Sequence, residues 1–233
     1  SAESRDDART RCATSMGVRT LMRAHLERVL LEARFMPILR GMEDEPLMAL
    51  SLSLVRFGVR IVEIPLSSNR ATSQVAELKR ALPADVMVGA GTVLDERQAA
   101  EAHSAGADFV VTPHVAPDVA NYAERHGLAI ISGAMTPTEV HQAREAGADF
   151  VKIFPASTVG ASYISALLGP FPSLRAIAVG GVGPENAGAF LDAGAVAVGI
   201  GGAISRRAKT TTEPETIDEH LEAIMASLRR HQP

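Results

Sequence analysis

The chain of 233 residues is 46% apolar and 21% charged, with a formal net charge of −4. A chain of this size buries enough apolar surface to fold without disulfides or a structural metal. Its composition is globular rather than disordered or membrane-spanning, and its charge advertises neither nucleic acid nor lipid.

Residues 1–33 read as an N-terminal extension: a polar tail without period over residues 1–15, then apolar residues at Met22, Leu26, Val29, Leu30 and Ala33, the stripe of an amphipathic helix. Charges of both signs over residues 1–32 leave no signal-peptide core, and no apolar run reaches the ~18 residues of a membrane helix. Cys12 is the only cysteine. That excludes an intrachain disulfide framework and a cysteine zinc cluster. It fits a reducing compartment, and the cytoplasm is the expected location.

From residue 34 the texture changes to short apolar runs separated by helical stretches. Strands are predicted at Met36–Arg40, Ile61–Leu66, Val86–Val93, Phe109–Pro113, Leu128–Ala134, Phe150–Pro155, Ala176–Gly181 and Ala195–Ile200. Helices are predicted at Arg70–Ala81, Glu96–Ser104, Pro117–Arg125, Thr138–Glu145 and Glu185–Asp192. A last helix has Thr212 or Glu213 as its cap, Pro214 in its first turn and a stripe of Ile217, Leu221, Ile224 and Leu228. An internal echo runs through this pattern. Gly58, Gly106, Gly147 and Gly194, at intervals of about 40 to 50 residues, each end a helix and lead into a strand. Alternating strands and helices imply a parallel sheet. Eight such units imply a closed (β/α)8 TIM barrel, one domain over residues 34–233, with an open doubly wound sheet as the alternative.

In such a barrel, chemistry gathers at the C-terminal ends of the strands. Lys152 lies inside the sixth strand, in Phe150-Val151-Lys152-Ile153-Phe154, and is one of only three lysines beside Lys79 and Lys209. An ammonium ion there is costly to desolvate, which favours the neutral amine that attacks carbonyls. The plainer reading is a lysine that snorkels from the barrel mouth or pairs with an acid. Glu63 ends the second strand. Apolar surroundings hold a carboxyl protonated to higher pH, as suits a proton shuttle, unless it simply pairs with Arg40 or Lys152. Arg40 ends the first strand and suits a bidentate carboxylate, or a salt bridge to Glu63. Thr92, in Gly89-Ala90-Gly91-Thr92-Val93, offers a hydroxyl at the third strand end. Gly180-Gly181 and Gly201-Gly202 close the seventh and eighth strands. Backbone N–H groups there commonly hold a phosphate, although tight turns alone also use glycine. His114, after the fourth strand, could face the mouth but reads as a histidine that supports other site residues or faces solvent, and no metal-ligand spacing occurs, so no essential metal and no cofactor are expected.

With these residues assembled, the chain resembles the 2-keto-3-deoxy-6-phosphogluconate and 6-phosphogalactonate aldolases, Schiff-base lyases on a (β/α)8 barrel. The resemblance rests on ILRG (38–41), VEIPL (62–66), VGAGTVL (88–94), VTP (111–113), KIFPAS (152–157) and VGGVGPEN (179–186), in order over residues 35–205. It implies Lys152 as the Schiff-base lysine, Glu63 as the acid and base, and Arg40 and Thr92 as contacts to the pyruvyl end. Gly180, Gly181, Gly201 and Gly202 would hold the phosphate of a phosphorylated sugar acid. It further implies a homotrimer without metal, releasing pyruvate and glyceraldehyde 3-phosphate. Ser67 stands where the phosphogluconate type tends to carry arginine, which resembles the phosphogalactonate branch. Gly202 stands where that branch often has serine, so a hydroxyl contact to phosphate would be missing while the backbone N–H stays. Other classes remain open at this point: a sugar-phosphate isomerase or epimerase using Glu63 without an imine, a metal-dependent decarboxylase or aldolase, and a non-catalytic phosphate-ligand binder.

Overall fold

The computed structural model describes residue 17, residues 20–209 and residues 211–229. The predicted polar tail over residues 1–15 lies outside the described residues. A helix, α1, runs over residues 20–33 and buries Leu26, Val29 and Leu30 in the core, with Met22 and Ala33 packed beside them, as the stripe predicts.

Eight parallel strands follow: β1 (Phe35–Pro37), β2 (Ile61–Pro65), β3 (Met87–Gly91), β4 (Phe109–Val111), β5 (Ala129–Ala134), β6 (Phe150–Ile153), β7 (Ala176–Val179) and β8 (Ala197–Ile200). From β2 to β8 each pairs with the next in sequence, and β1 pairs with β8. The barrel closes between β1 and β2 through the parallel bridge from Ile38 to Glu63 and a bond from the Leu39 N–H to the Glu63 carbonyl (2.9 Å). Strands covered on both faces read as continuous apolar runs, and every strand residue is buried.

The helices between the strands are α2 (Asp44–Arg56), α3 (Ala71–Ala81), α4 (Glu96–Ser104), α5 (Pro117–His126), α6 (Pro137–Glu145), α7 (Ala156–Val159), α8 (Ala161–Leu168) and α9 (Ala187–Asp192). After β8 come α10 (Gly202–Ala208) and α11 (Pro214–Arg229). The α11 stripe predicted from Ile217 to Leu228 is buried. Among the described residues no helix is long and apolar enough to cross a membrane.

The four-fold echo is one hydrogen-bond motif used four times. After α2, the Gly58 N–H bonds the Val55 carbonyl and the Val59 N–H bonds the Leu54 carbonyl, both at 3.0 Å, with Gly58 at φ +85°. That pattern is a Schellman cap, which satisfies the orphan carbonyls of the last turn and needs a left-handed residue. Gly106, Gly147 and Gly194 repeat it after α4, α6 and α9. Each cap therefore hands the chain to an even-numbered strand, and the repeat unit is a quarter of the barrel.

Six of the strands end one or more residues before the predicted C-termini, while β5 and β8 end where predicted, at Ala134 and Ile200, and displaced residues build the mouth. Arg40 leaves the first strand because its N–H is taken by the Ser205 hydroxyl (3.4 Å) instead of the ladder. Gly180 and Gly181 turn out of β7 with φ of +93° and +68°. Phe154 and Pro155 leave β6, and the peptide bond between them is cis.

Candidate active site

Lys152 sits on β6 between Gly133 of β5 and Ile177 of β7, and only 4% of it is exposed. Its Nζ lies 5.1 Å from the centre of the Phe154 ring. Glu63 sits on β2 beside Gly89 of β3 and is 1% exposed. Neither oxygen of its carboxylate has a hydrogen-bond partner among the described residues. The salt bridge to Arg40 or Lys152 offered above as the plain reading is therefore not made. Both cations act on Glu63 only through space. Burial pushes the Glu63 carboxyl above its ordinary value of 4.5, against the opposing pull of Lys152 and then Arg40.

The space for that carboxylate comes from the neighbouring strand. A Cβ at Gly91 would stand 2.6 Å from Cδ of Glu63 and 2.8 Å from its Cγ. The same complementarity of small and large residues recurs nearby, since the Phe109 ring occupies the place a side chain at Gly89 would take. Thr92 follows Gly91 with φ +57°, the left-handed region that a β-branched residue rarely enters.

A cavity of about 520 Å³ opens at the C-terminal end of the barrel. Its wall includes Arg40, Lys152, Gly180, Gly181, Gly201 and Gly202. Six of the eight residues singled out in the sequence thus meet in one wall. Glu63, on β2, and Thr92, just past the end of β3, are not among the residues that line it. A Cβ at Gly180 would stand 2.9 Å from the Phe154 ring and 3.0 Å from Cα of Pro155, and one at Gly181 would overlap the Ser157 hydroxyl. Only glycine fits either place, in space and in backbone angle.

Sequence reasoning missed Phe154, Glu185, Ser205, Arg206 and Lys209, all in the same wall. His114 is exposed, the solvent-facing one of its alternative readings. Among the described residues no group of three or more His, Cys, Asp or Glu is placed to hold a metal ion. A buried amine, a buried carboxyl that nothing neutralises by contact, and a cavity with cationic and glycine walls can together bind an anion and exchange protons with a bound carbonyl compound.

Comparison with known proteins agrees with this chemistry. The family described as KDPG and KHG aldolase matches residues 26–218. The 2-dehydro-3-deoxy-6-phosphogalactonate aldolase of Escherichia coli (strain K12) is 36% identical over 170 residues, covering 72% of this chain and 83% of that protein. The 2-dehydro-3-deoxy-phosphogluconate aldolase of Treponema pallidum is also 36% identical, over 69% of this chain and 75% of that protein. The solved native KDPGal structure superposes with a TM-score of 0.78 at 33% identity, over 84% of this chain and 95% of the other. The chain belongs to the KDPG and KHG aldolase family and is an aldehyde-lyase, with the lysine, carboxyl and glycine pairs of its barrel mouth as the candidate active site.

Proposed function

We propose that the protein cleaves a 2-keto-3-deoxy-6-phospho-aldonate to pyruvate and glyceraldehyde 3-phosphate through a Schiff base on Lys152. The observation that carries this reading is the pairing of a 4% exposed amine with a 1% exposed carboxylate that has no hydrogen-bond partner among the described residues. The amine attacks C2 of the substrate, water leaves, and the cationic imine becomes an electron sink. Breaking C3–C4 sends the bond pair into that imine to give an enamine, while the C4 hydroxyl gives up its proton. Glu63 takes this proton, directly or through a water, and later returns one to the enamine carbon. Hydrolysis of the imine then frees pyruvate and the amine.

Arg40, at the cavity wall, suits the substrate carboxylate as a planar two-donor partner. Thr92, held in its uncommon backbone angle at the end of β3, is assigned to the pyruvyl end with it. Gly180, Gly181, Gly201 and Gly202 bring backbone close to the phosphate, whose remote binding energy orients C3–C4. Ser67 following Ile64-Pro65-Leu66 supports the galactonate epimer over the gluconate one. Pyruvate release measured side by side from the two C4 epimers decides between them. A homotrimer, checked by light scattering, completes the reading.

The chemical test uses pyruvate and borohydride. Reduction should add the pyruvyl mass to the peptide bearing Lys152, with only Lys79 and Lys209 as competing lysines. An unmodified Lys152 peptide during turnover would refute the mechanism. Lys152→Arg should fail as completely as Lys152→Ala, because a guanidinium does not become a neutral amine at working pH.

A further inference from the structure

The chain carries 20 arginines and three lysines on a net-negative molecule, yet four cationic side chains converge on one cavity: Arg40, Lys152, Arg206 and Lys209. A single carboxylate, Glu185, opposes them. Two of the three lysines of the whole chain therefore share this wall. Arg40 and Lys152 have work at the pyruvyl end. Arg206 and Lys209 come from a different element, α10 and its C-cap, a helix that begins at Gly202.

Their placement follows from helix geometry. Ser205 is 3% exposed and donates to the Ile38 carbonyl (3.2 Å) while accepting from the Arg40 N–H (3.4 Å), which pins α10 to the end of the first strand. With that rotation fixed, Gly202, Arg206 and Lys209 fall on one stripe at spacings of four and three. Nη1 of Arg206 lies 3.6 Å from the place a Cβ at Gly202 would occupy, and Nζ of Lys209 lies 3.4 Å from the corresponding place at Gly41. Among the described residues neither side chain makes an ion pair or hydrogen bond. Arg206 thus stands beside Gly202 and Lys209 beside Gly41, two cations in one cavity wall with no partner among the described residues, and such a wall suits a dianion.

We propose that Arg206 and Lys209 form the charged half of the phosphate site and set the preference for phosphorylated over unphosphorylated sugar acids. This rests on the aldolase reading above for its substrate, but the cation pair itself is testable without catalysis. At position 202 the guanidinium takes the role a serine hydroxyl would otherwise have, with greater strength and longer reach. Lys209 adds a point charge from the far end of the stripe.

Two measurements separate the site from the reaction. In the first, inorganic phosphate is titrated calorimetrically into the full chain and into Arg206→Ala/Lys209→Ala. The double variant should bind roughly 10- to 100-fold more weakly, as expected for the loss of charge-assisted hydrogen bonds. Arg206→Lys with Lys209→Arg should restore much of that, and Arg80→Ala, an exposed change on α3, should not weaken binding. In the second, pyruvate condensation is followed with glyceraldehyde 3-phosphate and with glyceraldehyde. The ratio of the two kcat/KM values should fall by a similar factor in the double variant. Equal phosphate binding by wild type and double variant, or no phosphate binding by wild type, would overturn the proposal. Deuterium exchange into the pyruvate methyl group by the wild type reports separately on the Schiff-base reading. Its absence would sink that reading while the phosphate titration still decides the cation pair.

Discussion

Gly91→Ala tests whether the carboxyl group of Glu63 must lie where β3 lets it. The backbone at Gly91 is not left-handed, so alanine brings no conformational penalty of its own there. The whole effect is steric. The new Cβ would stand 2.6 Å from Cδ and 2.8 Å from Cγ of Glu63, where carbon atoms prefer about 3.5–4.0 Å. The strands cannot part to relieve it. Gly91 is in register with Pro65, and its carbonyl accepts the Leu66 N–H at 2.7 Å. Glu63 is 1% exposed, so the carboxylate must swing by roughly 1 Å into packed surroundings. Overpacking of this kind costs about 1–3 kcal/mol of stability. A misplacement of ~1 Å costs on the order of 100-fold in rate. Gly58→Ala supplies the comparison. Its φ of +85° with open space around the added Cβ makes the cost conformational, about 1–2 kcal/mol, and far from Glu63. Urea denaturation and pyruvate release coupled to lactate dehydrogenase read the two quantities separately. Both variants should lose stability, and only Gly91→Ala should lose kcat/KM. Wild-type kcat/KM in Gly91→Ala would refute the claim that the cleft above Gly91 positions Glu63 for its proposed role.

Three further outcomes follow from buried charge. Because burial raises the Glu63 carboxyl above 4.5, the folded chain keeps a proton that the unfolded chain has already lost. The stability this gives is complete below about 4.5 and disappears as pH climbs through the folded value. Glu63→Gln, neutral at every pH, should therefore match the wild type in acid and grow progressively more stable than it as pH rises. Urea midpoints across a pH series check this, and a constant difference would contradict it. Lys152→Met removes a 4% exposed cation that no carboxylate contacts among the described residues. It should melt at or above the wild-type temperature while releasing no pyruvate, and a markedly lower Tm would argue that the ammonium is well compensated in the fold. Asp149, 5% exposed, accepts the Ile130 N–H at 2.8 Å and pairs with Arg23 of α1. Asp149→Ala should cost about 1–3 kcal/mol by orphaning that N–H, with Asp149→Asn losing less, as urea midpoints at constant m-value would show.

The barrel was legible because each of its units repeats a local rule. An apolar run that continues through both faces signals a strand covered on both sides, and the glycine that precedes every second run is the left-handed cap of a Schellman motif. Those rules are local, so they survive without any knowledge of tertiary contacts. The ends of the strands were less legible. Val93, Thr112 and Pro155 are apolar or β-prone, and alternation alone carries the strand through them. What stops the ladder is tertiary: the Arg40 N–H goes to a hydroxyl on α10, and the Thr112 hydroxyl donates to the His114 carbonyl (2.6 Å) while accepting the Gly133 N–H (3.1 Å).

The site divides along the same line. Lys152 and Glu63 stood out because a charge inside an apolar strand breaks the pattern that makes the strand, so the anomaly is visible in one dimension. Arg206 and Lys209 break nothing. In Ile204-Ser205-Arg206-Arg207-Ala208-Lys209 the charges read as the solvated face of a short helix. Their direction is set by Ser205, whose hydroxyl reaches a carbonyl 167 positions earlier in the chain. A sequence can advertise a residue that is costly where it stands. It cannot advertise one that is comfortable on any surface and becomes functional only through the rotation of its helix. In this barrel the groups proposed to exchange protons with substrate are of the first kind, and the cations proposed to hold its remote charge are of the second.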